Sequence, residues 1–132
     1  MRIIENPPNT ELQKLQEVLE KERPEGIVDI WVCLDPFYLA LENSGSIVGV
    51  ASISLGDEVA EIYKIYVSPS HRRSGVAKRL FNEALQRFRQ HGIKKVFVEI
   101  ASEAGFLWLT AVVSGMKINS YGGNKYSFQL DG

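Results

Sequence analysis

One cysteine, Cys33, stands in 132 residues, so an internal disulfide is excluded. It has no metal-ligand partners at usable spacing, which removes a zinc framework and agrees with a reducing compartment. A small buried apolar role suits Cys33 better than a nucleophilic one. No run of about 18 apolar residues exists, and the N-terminal MRIIENPPNTE lacks the basic and apolar regions of a secretory signal. The sequence therefore predicts a cytoplasmic protein with no membrane partner and no metal. Internal repeats and low-complexity stretches are absent. Also absent are a Walker loop, for want of a Gly-Lys-Ser/Thr ending, and a dinucleotide Gly-x-Gly-x-x-Gly, so no nucleotide hydrolase is in view. What is present is ordinary for a globular domain: 45% hydrophobic and 23% charged residues in one chain long enough for a single core, read as one domain over 1–132.

Net charge is only −1, but it is unevenly distributed. Residues 1–61 hold twelve Asp and Glu against four Lys and Arg, whereas residues 71–95 hold eight Lys and Arg against one Glu. Such a run is commonly a solvated helix face. Here it begins where a helix is expected to begin, and positive side chains oppose the helix dipole at that end. A bound polyanion is one justification for them.

Periodicity predicts an alternation of elements. Met1–Glu5 reads as a short strand closed by Pro7-Pro8, and a helix follows from Asn9 or Thr10 to about Arg23, with Thr10 and Gln13 in capping-box spacing. Residues 24–35 suit either a short helix or a strand. Phe37–Glu42 and Ile47–Leu55 flank the turn-forming Asn43-Ser44-Gly45-Ser46 and should pair as a hairpin, which Glu58–Val67 extends. A helix from Gly75 to about His91 carries Val76, Leu80, Ala84, Leu85 and Phe88 on one stripe and stops at Gly92. Lys95–Ile100 is a strand, Ala104–Ser114 a helix, and Met116–Ser120 with Tyr126–Leu130 a final strand pair. A strand, crossover helix and strand imply one parallel pair in an otherwise antiparallel sheet. Where such a pair splays, the sheet offers a cleft.

The stretch IYVSPSHRRSGVAKRLFNEAL, residues 65–85, is the most informative. An apolar strand ends before Pro69, a basic turn centres on Gly75, and an amphipathic helix starts at once. The first N–H groups of a helix have no intrahelical partner, and the dipole adds roughly half a positive charge there. With glycine allowing close backbone approach, the N–H groups of Ser74 to Lys78 suit a phosphate or pyrophosphate, flanked by Arg72, Arg73, Lys78 and Arg79.

Arg72-Arg73-Ser74-Gly75-Val76-Ala77 resembles the Arg/Gln-x-x-Gly-x-Gly/Ala motif of the GNAT superfamily of acyl-CoA-dependent N-acetyltransferases. The surroundings resemble it too: a strand ending Val67-Ser68-Pro69 precedes the motif, a long helix follows, and the order of elements is similar over nearly the whole chain. The resemblance implies an α/β (α+β) fold with a mixed, mostly antiparallel sheet and a splayed parallel pair flanked by helices. It implies acetyl-CoA as co-substrate. Ile65, Tyr66 and Val67 would hold the pantetheine arm through their backbone, and Arg73, Ser74, Gly75, Val76, Ala77 and Lys78 would wrap the pyrophosphate, with Arg72 opening the motif. The side chains of Ile65, Val67, Val76 and Ala77 read as ordinary packing residues whose backbone is the functional part.

Acetyl transfer to an amine needs a proton acceptor, donors for the thioester oxyanion and often an acid for the departing thiolate. Val96-Phe97-Val98-Glu99-Ile100 resembles the strand that carries a glutamate base in the peptide N-terminal acetyltransferase branch, and the spacing from Glu99 to Gly115 agrees with that branch. A carboxylate amid apolar strand residues also asks for explanation, since burial without a partner is costly; the alternative is an alternating strand whose glutamate faces water. Glu61 is a rival base. Two family side chains are missing, because the thiolate-protonating tyrosine falls on Ala111 and the cofactor-contacting asparagine on Ala104. Tyr121 and Tyr126 are substitutes for the acid. The apolar stretch from Phe106 to Val113, Trp108 included, suits a homodimer seam, an acceptor pocket or core. Three readings remain open: an N-acetyltransferase acting on an amine of a small molecule or peptide, a non-catalytic acyl-CoA-binding domain, and a nucleic-acid binder. The last lacks interleaved aromatics for stacking, so no nucleic-acid partner is expected.

Overall fold

The computed structural model describes residues 1–22, 29–31, 35–99, 109, 113, 116–120, 122 and 124–130. Strand β1 (Arg2–Glu5) leads to helix α1 (Asn9–Glu22), then to the meander β2 (Phe37–Asn43), β3 (Ser46–Leu55) and β4 (Val59–Val67). A single 3₁₀ turn (Pro69–His71) precedes helix α2 (Val76–Gln90), and β5 (Lys95–Glu99), β6 (Ile118–Ser120) and β7 (Lys125–Gln129) complete the elements among the described residues. Seven strands form one sheet in the order β1-β2-β3-β4-β5-β7-β6. Every pairing is antiparallel except β4 with β5, which the α2 crossover joins in parallel.

The hairpin expected at residues 43–46 forms with Asn43 opposite Ser46, and Ser44 and Gly45 both take positive φ, the twist that matches the flanking strands. Helix α1 begins at Asn9, with the Pro8 carbonyl accepting from the N–H groups of Glu11 and Leu12. Thr10 therefore lies inside the first turn, which corrects its assignment as a capping-box residue. Proline has no N–H to leave unpaired, so Pro8 suits that boundary.

The two helices cover opposite faces. Helix α2 buries Val76, Leu80, Phe81, Ala84, Leu85 and Phe88 against Leu39, Leu41, Ile62, Val96 and Phe128, and Leu109 and Val113 join the same cluster. Helix α1 buries Leu12, Leu15 and Leu19 against Tyr38, Val50 and Tyr66. The ambiguous stretch before Pro36 contributes Ile30 to this second cluster, outside helix and strand. Its backbone N–H donates to the Gln16 side chain at 2.8 Å and its carbonyl accepts from Ser52 Oγ at 2.9 Å, so side chains replace the missing ladder.

The end of α2 that faces the site is set by Gly49 in β3. A Cβ there would lie 2.8 Å from Val76 Cγ1 and 3.1 Å from Leu80 Cδ1. Glycine lets the first turns of α2 sit directly on the sheet, an interior-strand use that the sequence reading missed. Cys33, Trp108, Ala104, Ala111, Gly115 and Tyr121 lie outside the described residues. Among the described residues, no helix is long and apolar enough to cross a membrane.

Candidate functional site

The parallel pair holds only from Val59–Ile62 on β4 against Lys95–Val98 on β5. Beyond Ile62, β4 runs on for five residues to Val67. Its register with β3 shifts at the same place: Ser52 faces Lys64 while Ile53 faces Ile62, which makes Tyr63 the extra residue of a bulge. A bulge bends the strand and re-aims the residues beyond it. Past the bulge Tyr66 turns to the α1 face and Ile65 and Val67 to the α2 face.

Beside this departing half of β4 lies a cleft of about 410 Å³ lined by Leu19, Lys64, Ile65, Tyr66, Val67, Arg72 and Ala77. A second, of about 240 Å³, is lined by Val67, His71, Arg72, Arg73, Gly75, Val76, Ala77 and Lys78. Val67, Arg72 and Ala77 belong to both, so the two join into one groove that follows β4 and ends at the start of α2.

The groove's far end is a turn built to expose backbone. Gly75 caps α2 at φ +82 with no capping side-chain hydrogen bond, and Arg73 also takes positive φ, +64. No atom lies within 4 Å of where a Gly75 Cβ would stand, so glycine is needed there for conformation, not for room. Alternating backbone of this kind turns successive N–H groups toward a common concavity, a favourable seat for an anion. The loop leading in is pinned by its own polar groups. His71 Nδ1 lies 2.8 Å from Ser68 Oγ, and Ser74 Oγ donates to the His71 carbonyl at 2.5 Å.

Arg72 does not extend its guanidinium freely toward that seat. Its Nε donates to the Val67 carbonyl at 3.0 Å, its NH2 donates to Glu22 Oε1 at 2.7 Å, and its other terminal nitrogen pairs with Glu22 Oε2. Tyr66 hydroxyl donates to the same Glu22 carboxylate at 2.8 Å, and the guanidinium lies 5.6 Å from the Tyr66 ring centre. The hydrogen bonds to Glu22 raise the Arg72 pKa above the ordinary arginine value, so it is charged at any working pH.

Glu99 ends β5 exposed, on the face shared with Lys95 and Phe97, because Val96 and Val98 take the α2 face. The idea of a carboxylate buried amid apolar residues is thereby corrected: the strand alternates and Glu99 is on its wet side. It lies directly across from Lys125 on β7 and one step past the last β4–β5 pair, at the mouth of the splay. Glu61, on the same face, is engaged by Lys125 Nζ at 3.1 and 3.2 Å. Tyr126 pairs with Val98 and packs into the core on the α2 face, opposite to Glu99.

Residues 6–105 match the acetyltransferase (GNAT) family. The chain belongs to that family. Solved structures similar to this GNAT chain include Tetrahymena GCN5, at 13% identity and a TM-score of 0.75 over 99% of this chain and 97% of that one. The PaiA N-acetyltransferase of Thermoplasma acidophilum, solved with coenzyme A, has 15% identity and a TM-score of 0.70 over 98% of each chain. Salmonella typhimurium yncA, solved with its cofactor acetyl-CoA, has 15% identity and a TM-score of 0.66 over 96% of this chain and 91% of that one. No curated protein sequence matches the chain.

Within this GNAT fold, Ile65, Tyr66, Val67, Arg72, Arg73, Gly75, Val76, Ala77 and Lys78 all line the joined groove. Ser74 alone of the motif does not, its hydroxyl being turned to the His71 carbonyl. Leu19, Lys64 and His71 also line it and escaped the sequence reading. Leu19 reads as core from its helical spacing, and nothing in the sequence signals that its helix end meets a strand nearly fifty residues later.

Proposed function

We propose that this GNAT acetyltransferase is an N-acetyltransferase that moves an acetyl, or more generally acyl, group from acetyl-CoA to a primary amine on a small molecule or peptide. The observation carrying the reading is the continuous groove that joins the departing half of β4 to the open N-terminus of α2. It suits an elongated ligand with a phosphate end. The pantetheine arm would add to β4 like an extra strand and the pyrophosphate would take the N–H groups around Gly75. Solved relatives containing coenzyme A or acetyl-CoA support that choice of ligand.

In the proposed reaction the acceptor nitrogen attacks the thioester carbonyl carbon. The carbon–sulfur bond breaks, the nitrogen's proton passes to Glu99 directly or through water, and the coenzyme A thiolate takes a proton from Tyr121 or solvent. Glu99 suits the base role by its position at the mouth of the splay, where a thioester at the end of a pantetheine laid along β4 would meet an acceptor. Glu61 suits it less, because Lys125 already occupies its carboxylate.

A thiol-release assay with acetyl-CoA over a panel of amines and peptides tests the reading. Coenzyme A release that depends on a particular amine supports it. Tight binding of acetyl-CoA with no release over the whole panel favours the non-catalytic acyl-CoA-binding domain suggested by Ala104 and Ala111.

A further inference from the structure

Resting on the acyl-CoA reading, we propose that Glu22, at the last turn of α1 and outside the glycine motif, is a positioning residue for the pantetheine half of the groove, acting through Arg72 and Tyr66. One carboxylate gathers three contacts there. Two come from the Arg72 guanidinium and one from the Tyr66 hydroxyl. Arg72 in turn fixes the end of β4 by donating from Nε to the Val67 carbonyl, and it covers the Tyr66 ring. Tyr66, Val67 and Arg72 are three of the seven residues that line the larger cleft, and Leu19, one turn before Glu22, is another.

Glu22 thus ties the end of α1 to the wall of the groove at the point where β4 has left β5 behind. Past its bulge β4 keeps its ladder with β3 but has no β5 beside it, so on that open side its geometry is set by side chains. A bidentate guanidinium–carboxylate pair supplies defined geometry as well as attraction. The anion turn depends on this network much less. It is built from backbone at Arg73 and Gly75 and pinned by hydrogen bonds of Ser74 and His71 that do not pass through Glu22. The motif arginine is therefore a strut between helix and strand, and its partner in sequence lies fifty residues away.

The two halves of the groove can be probed separately. Coenzyme A spans both, whereas 3′,5′-ADP carries phosphates but no pantetheine. Calorimetric titration of Glu22→Gln, which keeps the side chain's shape and removes its charge, should show coenzyme A binding weakened about tenfold, with 3′,5′-ADP binding within about twofold of wild type. The same change placed on Arg72→Gln should add only the smaller loss carried by the Tyr66 contact, since most of both effects passes through one strut. Tyr66→Phe should reproduce a smaller part of the loss. Unchanged coenzyme A affinity in Glu22→Gln overturns the inference. So does an equal loss for both ligands, the mark of general destabilisation, or full additivity with Arg72→Gln. Failure of the wild-type protein to bind coenzyme A would instead overturn the acyl-CoA reading and take the inference with it.

Discussion

Two glycines illustrate how the same residue type serves the site for different physical reasons. Gly75 stands at φ +82 with open space around it, so a methyl group there meets nothing, and the cost is conformational. Gly75→Ala should destabilise by about 1–2 kcal/mol, the usual penalty for an L-residue in the left-handed region, and should weaken coenzyme A binding by re-aiming the turn. Gly49→Ala is different: its methyl would collide with Val76 and Leu80, and overpacking of that kind costs about 1–3 kcal/mol unless α2 lifts off the sheet. Denaturant melts of both variants check the two magnitudes, and a Gly49→Ala protein of wild-type stability would contradict the packing account. Glu99 supplies the complementary case, a residue whose loss should be felt in rate alone. It is exposed at a strand end, so Glu99→Gln should leave the melting temperature within about two degrees, surface changes being worth less than about 0.5 kcal/mol. Removing a general base typically costs on the order of 10²–10⁴ in turnover. Wild-type kcat in that variant would end the assignment of Glu99 as base.

At the level of elements, α2 shows what was legible in the chain and what was not. Its stripe of Val76, Leu80, Ala84, Leu85 and Phe88 reads as a buried face by spacing alone, and all five are buried. Phe81 is buried as well, and the stripe is wider than the 3.6-residue count suggested because α2 packs across β2, β3 and β4. Leu80→Ala should lower unfolding free energy by about 2–5 kcal/mol in equilibrium melts, since the side chain is fully enclosed and its neighbours Gly49 and Val76 belong to strand and helix backbones that cannot easily collapse inward. Strands were legible for a related reason, as turn residues bound them: Ser44-Gly45 permits one hairpin geometry, and Gly92 ends the crossover helix at φ +74. Pairing order was less so. Nothing local tells that β7, not β6, lies beside β5, because that choice depends on how Val96 and Val98 meet Phe128 and Tyr126 across the sheet. The same limit hid Glu22 and Lys125. Each reads as a surface charge in its own segment, and each becomes a partner of Arg72 or Glu61 only when the chain is folded.

For the whole molecule, the opposite charge of the two halves acquires a second meaning. Ion pairs among the described residues, Glu5–Arg87, Glu22–Arg72 and Glu58–Lys94, join the acidic first half to the basic stretch. Part of the positive run is therefore balanced within the fold, though the exposed Glu58–Lys94 pair adds little stability by itself. Of the basic stretch, Arg73 and Lys78 line the groove exposed at the turn, and Lys64 lines it from β4. A polyanion at that turn should be held partly by the Arg73 and Lys78 side chains and partly by backbone N–H groups, and the two parts respond differently to salt. Acetyl-CoA at about a hundred times its dissociation constant should stabilise the folded state by about 2.7 kcal/mol, because it binds the native form alone. For a domain of this size that is a melting-temperature rise of roughly 8–10 °C. Raising ionic strength from about 0.05 to 0.5 M shortens the screening length several-fold, so the rise should shrink at fixed ligand concentration without vanishing. Arg73→Ala and Lys78→Ala together should flatten the salt dependence while leaving a residual shift from the backbone seat and the β4 groove. Scanning calorimetry across salt with acetyl-CoA separates these contributions. A shift that disappears entirely at high salt would mean that the side-chain charges, and not the turn around Gly75, hold the phosphate end. A salt-sensitive shift with oligonucleotides and none with acetyl-CoA would transfer the basic stretch to a nucleic-acid partner instead.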